Sequence, residues 1–206
     1  MSPQTERARR RDVVRAEVMA IVERQLRAGQ TFADINVATV AAEAGISRTT
    51  FYVYFDDKTD LLRTWFAAIT DQILAAAQAW WTLDESATRQ DVRAALITIV
   101  AAYRLHPELM AATHEAVGYD HGVREMVEES MRRYVDGLRA HIETGQRAGF
   151  IDPSLPAAET AYWLQWMSER GLHRMVRTVP EARSGSLVDA YAGIVWNTLY
   201  APTRAH

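Results

Sequence analysis

Residues 36–60 of this 206-residue chain read NVATVAAEAGISRTTFYVYFDDKTD, and this stretch decides the fold of the N-terminal part. Asn36 is suited to cap a short helix over residues 37–44, because its side-chain oxygen can accept a hydrogen bond from a free first-turn amide. Gly45 ends that helix, and Ser47 caps a second short helix that runs through residue 54. The stretch therefore predicts two short helices joined by a tight turn.

The spacing of small and apolar residues predicts how these two helices cross. Helices that cross at about 90–120° need a small side chain at the crossing, a residue that tolerates left-handed torsions in the turn, and apolar anchors on the second helix. Ala41, Gly45, Ile46 and Phe51 occupy those places. The pattern predicts a helix-turn-helix, although the same spacing also occurs in helix hairpins that bind nothing.

The second helix of a helix-turn-helix enters the major groove of DNA with its N-terminal turn. Here that turn carries a guanidinium and short hydroxyl side chains, which suit base edges, whereas Tyr54 and Lys58 suit phosphates. Lys58 also begins the next helix, whose free amides favour a phosphate beside it. The candidate DNA-contacting residues are Asn36, Thr39, Ser47, Arg48, Thr49, Thr50, Tyr52, Tyr54 and Lys58.

The run TFYVYF at residues 50–55, followed by Lys58, Leu61 and Leu62, closely resembles the signature of TetR-family one-component transcriptional regulators. The resemblance is specific from about Val14 to Leu62, and beyond it only the helical plan and the length are similar. In that family the first helix supports the helix-turn-helix, the third reads DNA and the fourth leads into a ligand-binding and dimerisation domain.

The resemblance implies an all-α protein of about nine helices with two domains. Residues 1–57 would form the helix-turn-helix DNA-binding domain, and residues 58–206 the helical ligand-binding and dimerisation domain. The implied function is that of a ligand-responsive repressor, released from a double-stranded DNA operator by a small hydrophobic effector.

One subgroup of these repressors is more closely similar than the rest. The similarity lies in GISRTTFYVYF at residues 45–55 and in MSER at residues 167–170 of the penultimate helix. In that subgroup two asparagines form a polar pair in the ligand channel, and Gln165 and Ser168 stand at the matching places here. This departure leaves the identity of the effector open.

The rest of the chain is predicted to be helical, because its apolar residues recur at helical spacing and no β alternation appears. A first helix carries Val14, Val18 and Leu26 on one face and ends at Gly29. The run Arg183 to Ser186 is the most linker-like segment. The later helices are predicted at residues 58 to beyond 73, 90–105, 107–116, 122–148, 156–176 and 186–199.

Composition excludes several classes of protein. The chain is 49% hydrophobic and 24% charged, as in ordinary globular proteins, and it lacks cysteine, which excludes disulfides and thiolate metal sites. Charges interrupt every apolar run well short of the roughly 18 residues that a membrane span needs, and the N-terminus lacks a signal-peptide core. We therefore expect a cytoplasmic protein with no membrane partner.

The charge distribution favours a nucleic-acid partner more than the net charge of −3 does. Through Phe55 eight arginines stand against six acids, which gives +2, so the remainder carries −5. Four of the arginines lie between Arg7 and Arg11. They predict either a flexible arm that contacts phosphates or simply a solvated helix start.

Catalysis has little support in the sequence. Asp56, Asp57 and Asp60 match the acidic D-D-x-x-D motif that holds magnesium in helical terpenoid synthases, but no second metal motif accompanies them. The favoured interpretation is that Asp57 caps a helix and Asp60 lies in its first turn. The six histidines lack a metal-binding spacing, and the usual signatures of hydrolases, phosphate-loop enzymes and dinucleotide enzymes are absent. We expect no catalytic residues, no metal and no cofactor.

Aromatic residues and methionines in the C-terminal part predict an apolar effector pocket, although simple core packing explains each of them singly. Tyrosines, a glutamine and a serine among them would orient the effector. The candidate ligand-binding residues are Ile99, Tyr103, Val127, Met131, Tyr134, Leu138, Gln165 and Ser168.

The last two predicted helices resemble the pair that forms a four-helix dimer interface in the family. Leu187, Tyr191, Ile194, Val195 and Thr198 lie along one face of the last helix, although a monomer could pack this face inward. A two-fold dimer places two recognition helices in successive major grooves, about 34–36 Å apart. We therefore expect a homodimer on a pseudo-palindromic operator. The alternative is a helical small-molecule carrier in which the N-terminal hairpin is only structural.

Overall fold

The structure, a computed structural model, describes the backbone of residues 3–204 and the surroundings of all side chains in that range except those of residues 3, 4, 7, 8, 202 and 204. Within that range every regular element is a helix, which confirms the all-α fold class. Nine helices have seven residues or more, and a short tenth follows them. They are α1 Pro3–Arg27, α2 Val37–Glu43, α3 Arg48–Tyr54, α4 Lys58–Trp81, α5 Arg89–Tyr103, α6 Pro107–Ala116, α7 His121–Ala148, α8 Ala157–Thr178, α9 Glu181–Leu199 and α10 Ala201–Arg204.

The predicted helix ends depend on three glycines with left-handed backbones. Gly29, Gly45 and Gly149 have φ values of +93°, +66° and +85°, a region that side chains with a Cβ atom rarely adopt. They follow α1, α2 and α7, so these predicted helix ends are confirmed to within two residues.

The prediction of a linker at Arg183 to Ser186 is wrong, because this run lies inside α9. The helix begins after Pro180, whose extended backbone is the N-cap. Ser184 is 6% exposed and accepts a hydrogen bond from the Arg104 guanidinium at the end of α5. A contact between residues 80 positions apart thus holds small residues in a helix, and local composition could not reveal it.

The chain forms two compact units. The first comprises the chain up to Ala68 together with residues 108–126, and the second comprises residues 69–107 and the chain from residue 127 onward. The divisions between the units fall inside α4 and α7 and after the first residue of α6. The functional division predicted after Asp57 is a different boundary and stays a prediction.

The first unit is built around a core of fully buried side chains from its helices. Ion-pair and amide contacts add to it at the surface, where Arg24 and Gln25 of α1 both donate to the Glu43 carboxylate of α2. The buried apolar side chains, each at most 1% exposed, include Val18, Ile21 and Val22 of α1, Val40 and Ala41 of α2, Phe51 of α3, and Leu61 and Leu62 of α4. This core holds the helix-turn-helix on its α1 and α4 supports.

The second unit contains a buried polar network within its apolar core. The Tyr200 hydroxyl lies 2.7 Å from Nε2 of His141 and accepts a hydrogen bond from the Trp80 indole at 3.1 Å. Nδ1 of His141 lies 3.0 Å from the Trp81 carbonyl oxygen. Because His141 is 4% exposed, burial lowers its pKa from 6.5 to about 4. The network joins α4 and α7 to the residue that follows α9.

In the described part of the chain, none of the helices combines the length and the apolar character that crossing a membrane requires.

Candidate DNA-binding surface and effector cavity

The helix-turn-helix is fixed by side-chain caps at both of its short helices. The Asn36 side chain accepts a hydrogen bond from the Ala38 amide at 2.8 Å, and the Ser47 hydroxyl accepts one from the Thr50 amide at 2.9 Å. In the turn, the Ile46 amide donates to the Ala41 carbonyl at 2.9 Å. Both predicted caps and the small-residue crossing at Ala41, which is 1% exposed, are confirmed.

Helix α3 has one buried side and one exposed side. Successive residues of an α-helix are rotated by about 100°, so positions 50, 51 and 54 share one side and positions 48, 49, 52 and 53 the other. Phe51 is fully buried, whereas Arg48, Thr49, Tyr52 and Val53 are exposed. We call these four residues the outer face of α3.

Within the outer face, Arg48 and Tyr52 contact each other. The Arg48 guanidinium lies over the Tyr52 ring at 5.9 Å, and the Tyr52 ring packs edge-on against buried Phe51 with centroids 5.4 Å apart. Cation–π stacking restrains an arginine while leaving its N–H groups free to point outward. The pair is therefore preorganised to present hydrogen-bond donors on the solvent side of α3.

The other predicted DNA-contacting residues around the turn differ in exposure. Asn36 and Thr39 are exposed at the start of α2. Thr50 is half-buried, and its hydroxyl lies 2.8 Å from that of Ser47. Tyr54 is also half-buried, and its carbonyl accepts a hydrogen bond from Arg15 of α1 at 3.2 Å. Ser47 and Thr50 thus hold the start of α3.

Lys58 has a role in the structure that the sequence did not predict. Its ammonium donates to the carbonyl oxygens of Phe32, Ala33 and Ile35, at 2.9, 2.7 and 3.2 Å. Partial burial lowers the pKa of Lys58. Since an ammonium has three donors, all of them are used in fastening the loop before α2 to the start of α4. Phosphate contact by Lys58 stays a prediction.

The N-terminal arginines begin a helix. Arg9, Arg10 and Arg11 are exposed residues of α1, whereas the side chain of Arg7 is outside the described residues. The structure therefore supports the prediction of a solvated helix start over that of a flexible arm.

The acidic motif at residues 56–60 forms a helix start and an ion-pair cluster. The Asp57 carboxylate accepts a hydrogen bond from the Asp60 amide at 2.6 Å, as predicted for a cap. Arg63 lies 3.2 Å from the Asp57 carboxylate and 3.6 Å from that of Asp60. Partial burial raises the pKa of Asp57, but hydrogen bonds from Thr59, Asp60 and Arg63 outweigh this, and its pKa is lowered. The carboxylates of Asp57 and Asp60 are thus paired with the Arg63 guanidinium of α4.

An apolar cavity of about 270 Å³ lies between α5, α8 and α9 in the second unit. Its few polar groups include the Ser168 hydroxyl on α8 and the phenol of Tyr191 on α9, whose hydroxyl donates to the Leu164 carbonyl at 2.9 Å. The residues lining it are Leu96, Ile99, Val100, Met167, Ser168, Gly171, Leu172, Met175, Leu187, Val188, Ala190, Tyr191 and Ile194. This composition suits a small hydrophobic molecule.

Of the eight predicted ligand-binding residues, Ile99 and Ser168 line this cavity. The Tyr103 hydroxyl instead lies 3.2 Å from Nδ1 of His173, and the Tyr134 hydroxyl donates to the Thr70 carbonyl at 2.9 Å. Met131 and Leu138 are buried, and Val127 and Gln165 are half-buried. The structure thus brings two of the predicted residues to this cavity.

Several residues that line the cavity were not predicted to do so, because the same apolar side of α9 was assigned to the dimer interface. Leu187, Tyr191 and Ile194 were assigned to a dimer face, yet they also line the cavity. Spacing along one helix identifies an apolar stripe, but it does not identify the neighbouring helix that the stripe faces.

Helices α8 and α9 expose large apolar side chains. On α8, Tyr162 is 50%, Trp163 71% and Met167 41% exposed, and on α9 Leu187 is 41% and Ile194 47% exposed. Of the predicted α9 face, Val195 is fully buried, and Tyr191 and Thr198 are half-buried. Clustered exposed aromatic residues are typical of protein–protein contact surfaces. We call the exposed side chains of Tyr162, Trp163, Met167, Leu187 and Ile194 the α8–α9 apolar face.

Comparison with known proteins adds a second line of evidence. The family sequence model described as "Transcriptional regulator EthR, C-terminal domain" matches residues 92–201, and the model "Bacterial regulatory proteins, tetR family" matches residues 24–64. The HTH-type transcriptional regulator EthR of Mycobacterium tuberculosis (strain ATCC 25618 / H37Rv) is 29% identical over 177 residues, which cover 84% of this chain and 81% of the relative. The EthR of Mycolicibacterium smegmatis is 25% identical over 193 residues, covering 89% and 87%.

Solved structures show the same fold. A TetR transcription regulator from Haloarcula marismortui has a TM-score of 0.71 at 18% identity, covering 91% of this chain and 99% of that one. The fatty acid degradation regulator FadR from Bacillus halodurans has a TM-score of 0.71 at 15% identity, covering 88% and 94%. Together with the EthR-type model, which spans more than half of the chain, these matches confirm the resemblance carried by residues 45–62. The chain belongs to the TetR family of bacterial transcriptional regulators, with a C-terminal domain of the EthR type.

Proposed function

We propose that this TetR-family regulator is a homodimeric repressor that binds a pseudo-palindromic operator and is released from it by a small hydrophobic effector. The observation that carries the proposal is the outer face of α3, where exposed polar side chains stand on a helix that is capped and anchored by buried Phe51. A helix held in this way can enter the major groove without rearrangement.

In this proposal the outer face of α3 reads base edges. Arg48, restrained by Tyr52, is suited to a guanine, and Thr49 to a neighbouring base edge. Asn36, Thr39 and Tyr54 would set the register by contacts to the DNA backbone. Lys58, whose three donors bind carbonyl oxygens of the chain, would favour a nearby phosphate by its positive charge alone. Residues 1–57 would act as the DNA-binding domain, and the rest of the chain as the sensor and dimerisation domain.

The proposed dimer forms through the α8–α9 apolar face. Its aromatic and aliphatic side chains are exposed in the single chain, so a second copy could bury them with a gain of about 25 cal/mol for each Å² of apolar surface removed from water. A two-fold interface would present two α3 helices to successive major grooves.

The proposed effector site is the cavity between α5, α8 and α9. An effector acts only if its affinity differs between the conformation that fits the operator and the one that does not. Because Met167, Leu187 and Ile194 belong both to the cavity lining and to the α8–α9 apolar face, a bound molecule would contact side chains of the proposed interface.

The decisive experiment is selection of binding sites from a random-sequence DNA library with the purified chain, followed by footprinting and affinity measurements at several salt concentrations. We expect a pseudo-palindromic sequence whose binding weakens as salt rises, since phosphate contacts release counterions. Arg48→Ala should cost about 1–3 kcal/mol of binding free energy in each half-site. The matched control Arg147→Ala, at an exposed position near the end of α7, should cost almost nothing.

A carrier protein would give the opposite result. Selection would then enrich no sequence, and Arg48→Ala and Arg147→Ala would be equivalent. Hydrophobic compounds would still raise the unfolding temperature, because ligand binding stabilises the folded state whether or not DNA is bound.

A further inference from the structure

We propose that Val53 determines operator specificity by contacting the C5-methyl group of a thymine in each half-site. The inference rests on the proposed function and deepens it, since it names one base and the atom by which that base is recognised. It concerns a residue that the analysis of the sequence did not place among the DNA contacts.

The first observation is exposure. Val53 is 72% exposed, although it belongs to a short helix whose neighbouring residue on the inner side, Phe51, is fully buried. Leaving an apolar side chain in water forgoes the gain from burying it, which for a valine is about 1.5 kcal/mol or more. Valine is also a weaker helix former than alanine. Packing and helix propensity thus give no reason for a valine at this position.

The second observation is position. Val53 lies on the outer face of α3 together with Arg48, Thr49 and Tyr52, about one turn after Thr49. Because positions 49 and 53 point in directions only about 40° apart, Val53 would lie beside the group that Thr49 contacts. Its neighbours present hydrogen-bonding groups, and Val53 adds the only branched aliphatic side chain of the outer face.

In the major groove, thymine alone among the four bases presents a methyl group, and apolar side chains recognise it by contact. A valine side chain has no donor or acceptor, so it favours this methyl over the exposed polar edges of the other bases. Its β-branched side chain is stiff at χ1, so little conformational freedom is lost on contact. Val53 therefore matches thymine.

The test removes the thymine methyl without changing the base pairing. The operator is first selected from a random library by the wild-type chain, and each thymine is then replaced in turn by deoxyuridine. At one thymine position in each half-site, replacement by deoxyuridine should weaken binding of the wild-type chain about fourfold for each half-site replaced. This factor is the effect of burying one methyl group. Val53→Ala should bind the thymine operator more weakly by a similar factor and should lose nothing further on the deoxyuridine operator.

The matched control is Val13→Ala, which removes the same two methyl groups from another exposed valine, 62% exposed, on α1 of the same unit. This variant should keep the wild-type sensitivity to deoxyuridine. Far-UV circular dichroism should give both variants the wild-type helical content, because neither side chain is buried.

The outcomes separate the inference from the proposed function. If the wild-type chain selects an operator, and deoxyuridine weakens wild type and Val53→Ala by equal factors at every position, then Val53 reads no thymine and the inference is overturned. If the wild-type chain selects no sequence, the proposed function itself fails, and the inference fails with it.

Discussion

Mild acid should destabilise the second unit through one buried histidine. Nδ1 of His141 lies 3.0 Å from the Trp81 carbonyl oxygen, which can only accept, so Nδ1 carries the proton of the neutral ring. Nε2 then accepts from the Tyr200 hydroxyl at 2.7 Å, and Tyr200 in turn accepts from Trp80. A second proton on the ring would place a positive charge in a site that is 4% exposed.

The size of the effect follows from the displaced pKa. Burial lowers the pKa of His141 from 6.5 to about 4 in the folded chain. Above pH 6.5 the histidine is neutral in both states and contributes nothing to the pH dependence. As the pH falls below 6.5, the unfolded chain binds the proton first, so the free energy of unfolding decreases, by about 2 kcal/mol at pH 5 and by about 3 kcal/mol once the pH is well below 4.

The assay is urea unfolding followed by far-UV circular dichroism at pH 7, 6 and 5. Carboxylates also titrate in acid, so both proteins lose some stability between pH 7 and pH 5. The contribution of His141 is the loss measured for wild type minus the loss measured for His141→Gln. We expect a difference of about 2 kcal/mol. The control His121→Gln, at a histidine whose side chain is 80% exposed, should keep the wild-type pH dependence. Equal acid sensitivity of wild type and His141→Gln would refute the reasoning.

Three further predictions test other parts of the structure. Lys58→Met should lower the stability of the first unit by about 2–3 kcal/mol, because three carbonyl oxygens lose a charged donor. Denaturant unfolding measures this loss, and an unchanged midpoint would contradict the structural role of Lys58. Trp163→Asp should convert the proposed dimer to a monomer in sedimentation experiments and weaken operator binding at least tenfold, and a dimer that persists would place the interface elsewhere. A Cβ atom at Gly171 meets open space beside the cavity, so Gly171→Phe should block release of the operator by hydrophobic compounds, whereas Gly171→Ala should preserve release and raise stability by up to about 1 kcal/mol. Compounds that release wild type and Gly171→Phe equally well would exclude this cavity as the effector site.

Much of the helix-turn-helix could be predicted because its determinants are local. Asn36 and Ser47 bond to amides two and three residues away, and Gly45 needs only its own backbone freedom. The exposed face of α3 was largely predicted as well. The exposure of Val53 was not predicted, because spacing within a helix of seven residues does not show whether an apolar side chain is covered; the structure gives it as 72%.

The sensor part was predicted less completely. The stripes around Tyr103 and Tyr134 were placed in a pocket, but the hydroxyls of both tyrosines are occupied by partners 70 and 64 residues away in the chain. Tyr191, assigned to a dimer face, lines the cavity. An apolar stripe predicts that a helix face is covered, but the covering element depends on contacts between segments far apart in the sequence.

By itself, the sequence determined that the chain is helical, where α2 and α3 start and stop, and which family it joins. Caps, glycine turns and the 45–62 signature depend on residues within a few positions of one another. Only the tertiary structure decided that Lys58 fastens the loop before α2, that Ser184 lies within a helix, and that His141 is buried neutral. Those outcomes depend on burial and on partners brought from 23 to 80 residues away, which the order of residues along the chain does not reveal.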